Sequence, residues 1–318
     1  TVNEILKNGK QPSAEDVLIL SSYKSLSQYD WRESLIVTDD FKDVYTRQVE
    51  ESLREARLKS QLSTLEKITD KVSSEVRNQY EVSPYPRWVN LAVPLKPLPI
   101  SNSIKHMKLR LFDYTVLSNK KPNILIAGCG TGQHSIQSAS TFENSTVTAV
   151  DLSLSSLAYA KRKTEEMGIK NIEYMQADIL DLEQLKNQFD IVESTGVLHH
   201  MRDPLAGWQI LKNCVKPGGL MRIGLYSEIA RQHIVKVRSE INENGIGSSS
   251  TEMRKFRNSL TESDQHHHKL VLQFLDFYSL STLRDLLFHA QEHRFTIPQI
   301  QGHLDELGLK FCGFEGPV

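Results

Sequence analysis

The residues with the clearest chemistry are three glycines and two aspartates. Gly128-Cys129-Gly130-Thr131-Gly132 follows an apolar run and opens a helical one. Glycine is needed where backbone turns sharply or a ligand must approach the main chain. A helix starting there also presents unpaired N–H groups and a positive dipole end. A dinucleotide fingerprint wants glycine or alanine at position 133, where this chain has Gln133, and the Gly-Lys-Ser/Thr of a P-loop is absent. A pyrophosphate ligand is therefore not expected. Asp151 lies 19 residues beyond Gly132 at the end of a second apolar run. A carboxylate there can accept hydrogen bonds from both hydroxyls of a ribose. Asp178 ends a third run, in Gln-Ala-Asp-Ile, placed to accept from an adenine amino group. Singly, each aspartate reads as a helix N-cap. Together at successive strand ends, they predict a nucleoside crevice.

Such a crevice needs a sheet to hold it. Short β runs at 123–127, 146–150, 172–176, 189–194 and 220–226 alternate with helical stretches at 132–141, 153–167, 182–187 and 204–215. Ser153 is placed to cap the second helix, and Gly168 sits where a left-handed residue ends it. Alternation at this spacing predicts right-handed βαβ units, hence an α/β fold with a parallel sheet and helices on both faces.

Five segments follow from texture. Residues 1–79 form a helical N-terminal segment, for packing or dimerisation. It includes an amphipathic helix over 49–68 whose stripe is Val49, Leu53, Ala56, Leu62, Leu65 and Ile68. Residues 80–122 are an aromatic, proline-rich connector, since prolines flanking Tyr85 forbid a regular helix. Residues 123–227 carry the ligand-binding core, and 228–294 read as a helical insertion. Contiguous His266–His268 point in different directions on a helix, so a solvated patch is expected and no metal site. Residues 295–318 hold a helix over 297–307, ended by Gly308, and a strand over 310–314.

Composition excludes other classes. Lys and Arg total 38 against 39 Asp and Glu, a net charge of −1. That gives no basic footprint for nucleic acid. Cys129, Cys214 and Cys312 are widely spaced with no CxxC, which favours a reducing, cytoplasmic setting. No apolar run reaches the ~20 residues of a membrane helix, and no signal peptide is visible. The chain opens on Thr-Val-Asn-Glu without Met, as expected for a processed or excised piece.

Taken in order, Ile-Ala-Gly-Cys-Gly-Thr-Gly, Val-Asp-Leu-Ser, Gln-Ala-Asp-Ile, Phe-Asp-Ile-Val-Glu-Ser-Thr-Gly-Val-Leu-His-His-Met and Val-Lys-Pro-Gly-Gly-Leu resemble the class I S-adenosylmethionine-dependent methyltransferases. The resemblance implies a Rossmann-like sheet and S-adenosyl-L-methionine as cofactor. It implies that Gly128, Cys129, Gly130 and Gly132 cradle the methionine part and that Asp151 holds the ribose. Leu152 would lie against adenine, Asp178 and the Ile179 backbone on the adenine edge, and Thr195 near the sulfonium. Where the family often carries an acid, two residues before the first glycine, this chain has Ile126. Backbone carbonyls are then expected to hold the cofactor's ammonium. The final strand that the class inserts between strands five and six is not reached, so an altered sheet edge or a truncated chain is expected.

The flanking motifs Val-Arg-Asn-Gln-Tyr-Glu-Val-Ser-Pro-Tyr-Pro-Arg-Trp, Gly-Leu-Tyr-Ser-Glu-Ile-Ala-Arg and Asp-Phe-Tyr-Ser-Leu-Ser-Thr-Leu-Arg-Asp-Leu-Leu-Phe-His are similar to those of bacterial tetratricopeptide-associated methyltransferases and rickettsial protein-lysine methyltransferases. That similarity implies a lid over the cofactor at 80–88, with Tyr80 and Arg87 on the cofactor and Trp88 facing the acceptor. It implies an acceptor site using Tyr85, Tyr226, Arg231, His289, Glu292 and His293. His199 and His200 are candidate bases, though a structural role is the simpler reading of the pair. The leading expectation is methyl transfer to lysine side chains of a protein. The alternatives are a small-molecule O- or N-methyltransferase and a catalytically silent cofactor-binding module. Expected partners are a protein or small-molecule acceptor, with no nucleic acid and no membrane insertion, and a homodimer through the N-terminal helices.

Overall fold

The computed structural model describes residues 2–315. Two compact units divide the chain between Gln61 and Leu62, rather than near residue 79. The first unit is helical. It comprises Val2–Lys7, Ala14–Tyr23 and a helix running through Lys42–Tyr45, Thr46–Glu50 and Glu51–Lys59. Val17, Leu26, Leu35, Phe41 and Val49 form its core. The helix predicted over 49–68 ends at Lys59, and Leu53 and Ala56 are exposed. The 46–50 stretch is a π turn. Its extra residue rotates the apolar stripe, so Leu58 is buried instead.

Leu62 onward belongs to the second unit because its backbone is claimed by a sheet. Ser63–Thr64 (β1) pairs with Met175 and Gln176, and the Leu65 N–H donates to the Gln176 carbonyl at 2.9 Å. Asn123–Ala127 (β2), Thr146–Asp151 (β3), Ile172–Gln176 (β4), Phe189–Thr195 (β5) and Val215–Gly224 (β6) complete a parallel sheet of order β1-β4-β3-β2-β5-β6. Along β2, Ile124 and Ile126 enter one core while Leu125 and Ala127 enter the other. Burial on both faces is why these strands read as continuous apolar runs. Strand β2 lies between β3 and β5, at the point where the strand order reverses, and open α/β sheets bind ligands there.

The predicted punctuation holds at several helices. Ser153 accepts from the Ser156 N–H and opens Leu154–Glu166, with Gly168 beyond it at φ 69°. Over 182–187 a helix was predicted. A 3₁₀ helix, Ile179–Leu185, forms instead because Asp178 caps it three residues earlier by accepting from the Leu180 N–H. Ile297–Leu307 has the capping box Thr296–Gln299 and ends on left-handed Gly308.

The strand predicted over 310–314 does not form. That backbone meets Arg110, whose N–H donates to the Cys312 carbonyl at 2.8 Å, and Phe311 packs against Phe314 instead. No ladder with β6 is made, and β6 is left as one edge of the sheet among the described residues.

Within 228–294, helices Gln232–Glu243, Ser250–Thr261, His266–Val271 and Leu280–Phe288 enclose a separate apolar core around Val237, Leu260, Phe277 and Leu283. No helix among the described residues is long and apolar enough to cross a membrane.

Candidate active site

A cavity of about 430 Å³ opens at the carboxyl ends of the strands. Each strand end contributes to it. Gly128, Cys129 and Gly130 follow β2, Asp151 and Leu152 close β3, Asp178 and Ile179 follow β4, Thr195 ends β5, and Tyr226 follows β6.

The glycine turn is held from both sides. Gly130 and Gly132 have φ of 52° and 89°, a region side-chain-bearing residues rarely adopt. A methyl group on Gly130 would approach the Tyr85 carbonyl at 3.1 Å, and one on Gly132 would sit 2.7 Å from the Ala160 Cβ. Gly132 therefore lies outside the cavity lining and works by letting its helix pack closely on Leu154–Glu166. The 83–99 connector is stitched to this turn. The Thr131 hydroxyl donates to the Pro86 carbonyl at 2.5 Å, and the Trp88 indole N–H donates to the Thr131 carbonyl at 3.1 Å.

Asp151 accepts from the Gly130 N–H through Oδ2 at 2.8 Å and from the Ser153 N–H through Oδ1 at 2.9 Å. Each oxygen keeps a lone pair for a diol. Burial pushes this carboxyl up to about 6, although those backbone bonds favour the charged form. Asp178 is buried and lines the same wall while capping its helix. The left-handed glycine backbone, the pre-oriented Asp151 and the buried Asp178 fit an adenosyl group bound along the strand ends.

Opposite lies a second cluster. Tyr80 lies in the last turn of the helix Lys71–Val82, so the connector starts three residues later than expected. Its hydroxyl donates to Asp285 Oδ1 at 2.5 Å, and that of Tyr85 donates to Asp276 Oδ1 at 3.4 Å. Tyr80, Tyr85, Tyr226, His200 and Asp285 all face the cavity. Burial raises Asp285 to about 6 and Tyr226 to about 12. His200 donates from Nδ1 to the Gln291 carbonyl at 2.7 Å, which leaves an Nε2 lone pair, and burial lowers it to about 4.

The remaining predicted site residues form the wall behind this cluster. His199 is fully buried, with neither ring nitrogen hydrogen-bonded, and stacks on Tyr226 at 3.6 Å. His289 stacks on His200 at 3.6 Å. Burial pushes both rings well below the ordinary imidazole range, so they are neutral packing elements. Arg231 lies over the opposite face of Tyr226 at 3.7 Å and forks onto Glu292, with bonds of 3.1 and 2.8 Å. Glu292 is almost fully buried beneath Arg231, Arg238 and Arg294. The His293 N–H donates to the His199 carbonyl at 2.7 Å. Arg231, Glu292 and His293, expected in the acceptor site, thus support this cluster without lining the cavity. Trp88 and Arg87 do not line the cavity either. Trp88 is buried edge-on against Tyr159, and Arg87 lies over that same ring.

Asp276 and Asp285 were missed from the sequence. A signal existed for Asp285. It is a carboxylate within a buried apolar stripe of Leu283, Leu286 and Leu287, where a charge costs free energy unless it has a use.

A sequence family described as a methyltransferase domain matches residues 118–274. An uncharacterised protein of Synechococcus sp. is 28% identical over 207 residues, covering 61% of this chain and 48% of that protein. The ubiquinone biosynthesis O-methyltransferase of Pseudomonas syringae pv. tomato is 33% identical over 135 residues, covering 42% of this chain and 55% of its own length. The chain thus spans about half the length of these curated relatives. PKMT2 from Rickettsia typhi, solved in complex with AdoHcy, shares the fold at a TM-score of 0.53 and 17% identity, covering 70% of this chain and 44% of that one. Residues 118–274 are thus a methyltransferase domain, and the parallel sheet, the glycine turn and the acids closing successive strands are those of a class I S-adenosylmethionine-dependent methyltransferase.

Proposed function

We propose that the protein methylates a primary amine, the side chain of a lysine presented by a protein substrate. One observation carries this reading. The acceptor side of the cavity is lined by the buried carboxylate Asp285, which the Tyr80 hydroxyl orients, and a second carboxylate, Asp276, is hydrogen-bonded to the lining tyrosine Tyr85. Paired carboxylates among aromatic rings attract and align a cationic amine. The rim beside Asp276 exposes Leu275, Tyr278 and Phe274, apolar surface that a polypeptide could cover.

Bound S-adenosylmethionine supplies a methyl group already activated by its sulfonium. Gly128, Gly130, Asp151 and Asp178 would hold that cofactor. The protein's task is then placement and proton management. An ammonium has no lone pair, so the amine must lose a proton before it can attack. Asp285 is the acceptor for that proton, because burial has raised it to about 6 and so made it a stronger base than an ordinary aspartate. Tyr80 fixes one of its oxygens. The stacked pair His200 and His289 is neutral and adds no positive charge beside the incoming amine. Near-attack placement of this kind can contribute up to ~7–11 kcal/mol.

A second reading rests on His200. Its free Nε2 lone pair could take a proton from a phenol or other hydroxyl of a small-molecule acceptor.

Incubation with methyl-labelled S-adenosylmethionine and a size-fractionated cell lysate separates the two. Label in the macromolecular fraction, released as methyl-lysine on acid hydrolysis, is expected. Label found only in small molecules would overturn the lysine assignment.

A further inference from the structure

The histidine run set aside as a solvated patch behaves otherwise in the fold. His266 is exposed, but His267 and His268 turn inward onto Glu240 of the helix Gln232–Glu243. His267 Nε2 lies 2.5 Å from Glu240 Oε1, and His268 Nε2 lies 2.7 Å from Glu240 Oε2. One donor atom from each of the three residues falls within 4.8 Å of the others. We propose that Glu240, His267 and His268 form a binding site for a divalent transition-metal ion of the Zn²⁺ class.

Ligand type, ring geometry and the hydrogen bond behind His268 agree on this. Two imidazoles and a carboxylate suit borderline ions, and the partly open setting of Glu240 and His267 lets water complete the coordination. The two rings are inclined at 59° with centroids 4.3 Å apart, so their lone pairs lie in different planes and can converge. The His268 Nδ1 is hydrogen-bonded at 2.7 Å to the Ser263 hydroxyl, which can accept an Nδ1–H and leave Nε2 for the metal. Nitrogen and oxygen on one tetrahedral ion lie about 3.3 Å apart. Entry of the ion therefore asks Glu240 to withdraw by less than ~1 Å, a motion its flexible side chain allows.

His200, Asp285 and His289 also converge, but with rings stacked at 3.6 Å and 19°. An ion shared by those rings would lie about 1.8 Å out of each plane, against a bond of about 2.1 Å along the lone pair. Geometry thus separates the two clusters. The proposed ion would clamp Gln232–Glu243 to His266–Val271, two helices that enclose the apolar core also containing Leu283 and Leu286 beside Asp285.

The test uses the full, tag-free chain, stripped with a chelator and titrated with Co²⁺ as a spectroscopic stand-in, then with Zn²⁺. A saturable 1:1 complex with visible d–d absorption, displaced by Zn²⁺, is expected. So is a rise of roughly 5 °C in the unfolding midpoint at a hundredfold excess over the dissociation constant. His267→Gln and Glu240→Gln should each weaken binding at least tenfold, while His266→Gln should not. No saturable complex, or equal weakening by His266→Gln, would overturn the site. Circular dichroism shows whether each variant is folded, and if His267→Gln unfolds, Glu240→Gln alone decides.

Discussion

Ile126 on β2 and Glu193 on β5 are register partners in a parallel pair, so their side chains leave the sheet on the same face. The position where the family often keeps an acid is apolar here, and its neighbour across the ladder is the acid. Glu193 is buried, accepts from the Ser138 hydroxyl at 2.6 Å and lies 2.6 Å from the His134 Nε2. Burial pushes its carboxyl upward, yet the His134 and Ser138 bonds prevail and hold it below the usual glutamate range. A depressed acid contributes stability above its unfolded value and loses it as pH falls through the folded one.

Glu193→Ala should therefore cost about 2–3 kcal/mol at neutral pH, by leaving the buried Ser138 hydroxyl without its acceptor and His134 without its carboxylate. The reciprocal pair Ile126→Glu with Glu193→Ile returns an acid to the same face and should recover part of the loss. Thermal unfolding of the three proteins measures this. A midpoint for Glu193→Ala within a degree of the parent would show that the buried acid is energetically idle.

Asp151 governs the cofactor end. Both its oxygens are already aligned by backbone N–H groups, so substitution removes bonds to a diol without first reorganising a loop. Asp151→Ala should weaken S-adenosylhomocysteine binding by about 3 kcal/mol or more, roughly 100-fold, as expected for two hydrogen bonds to a charged group. Calorimetry reads this directly, and unchanged affinity would remove Asp151 from the ribose.

What the sequence made legible was whatever depends on local pattern. The runs 123–127 and 172–176, the Ser153 cap and the Gly308 stop appear at the expected residues, because periodicity and backbone chemistry decide them. Leu62 and Leu65 were misread as helical because their fate depends on Gln176, more than a hundred residues away. Trp88 carries no mark showing that it packs on Tyr159 rather than facing an acceptor. His267 and His268 looked solvated because Glu240 reaches them from another helix. Strand ends positioned the cofactor crevice well, whereas the opposite wall is assembled from four separated segments, around Tyr80, His200, Tyr226 and Asp285, and had to be seen folded.

Asp285 provides a test by pH. Its folded value is raised from 3.8 to about 6, chiefly by burial. A raised acid binds more protons folded than unfolded between roughly pH 4 and 6, so stability falls as pH rises through that window. Above it, the ionised group costs about 3 kcal/mol. Asparagine keeps an oxygen for Tyr80 but cannot ionise. Asp285→Asn should therefore unfold at a higher temperature than the parent at pH 8, with the gap closing as pH falls toward 4. Methyl transfer should move the opposite way. The parent's rate should climb through pH 6 as the carboxylate forms, and the variant should be slower throughout and lack that step. A variant no more stable at pH 8 would mean that the carboxyl is better solvated than its burial implies. A variant as active as the parent would assign the proton to another group.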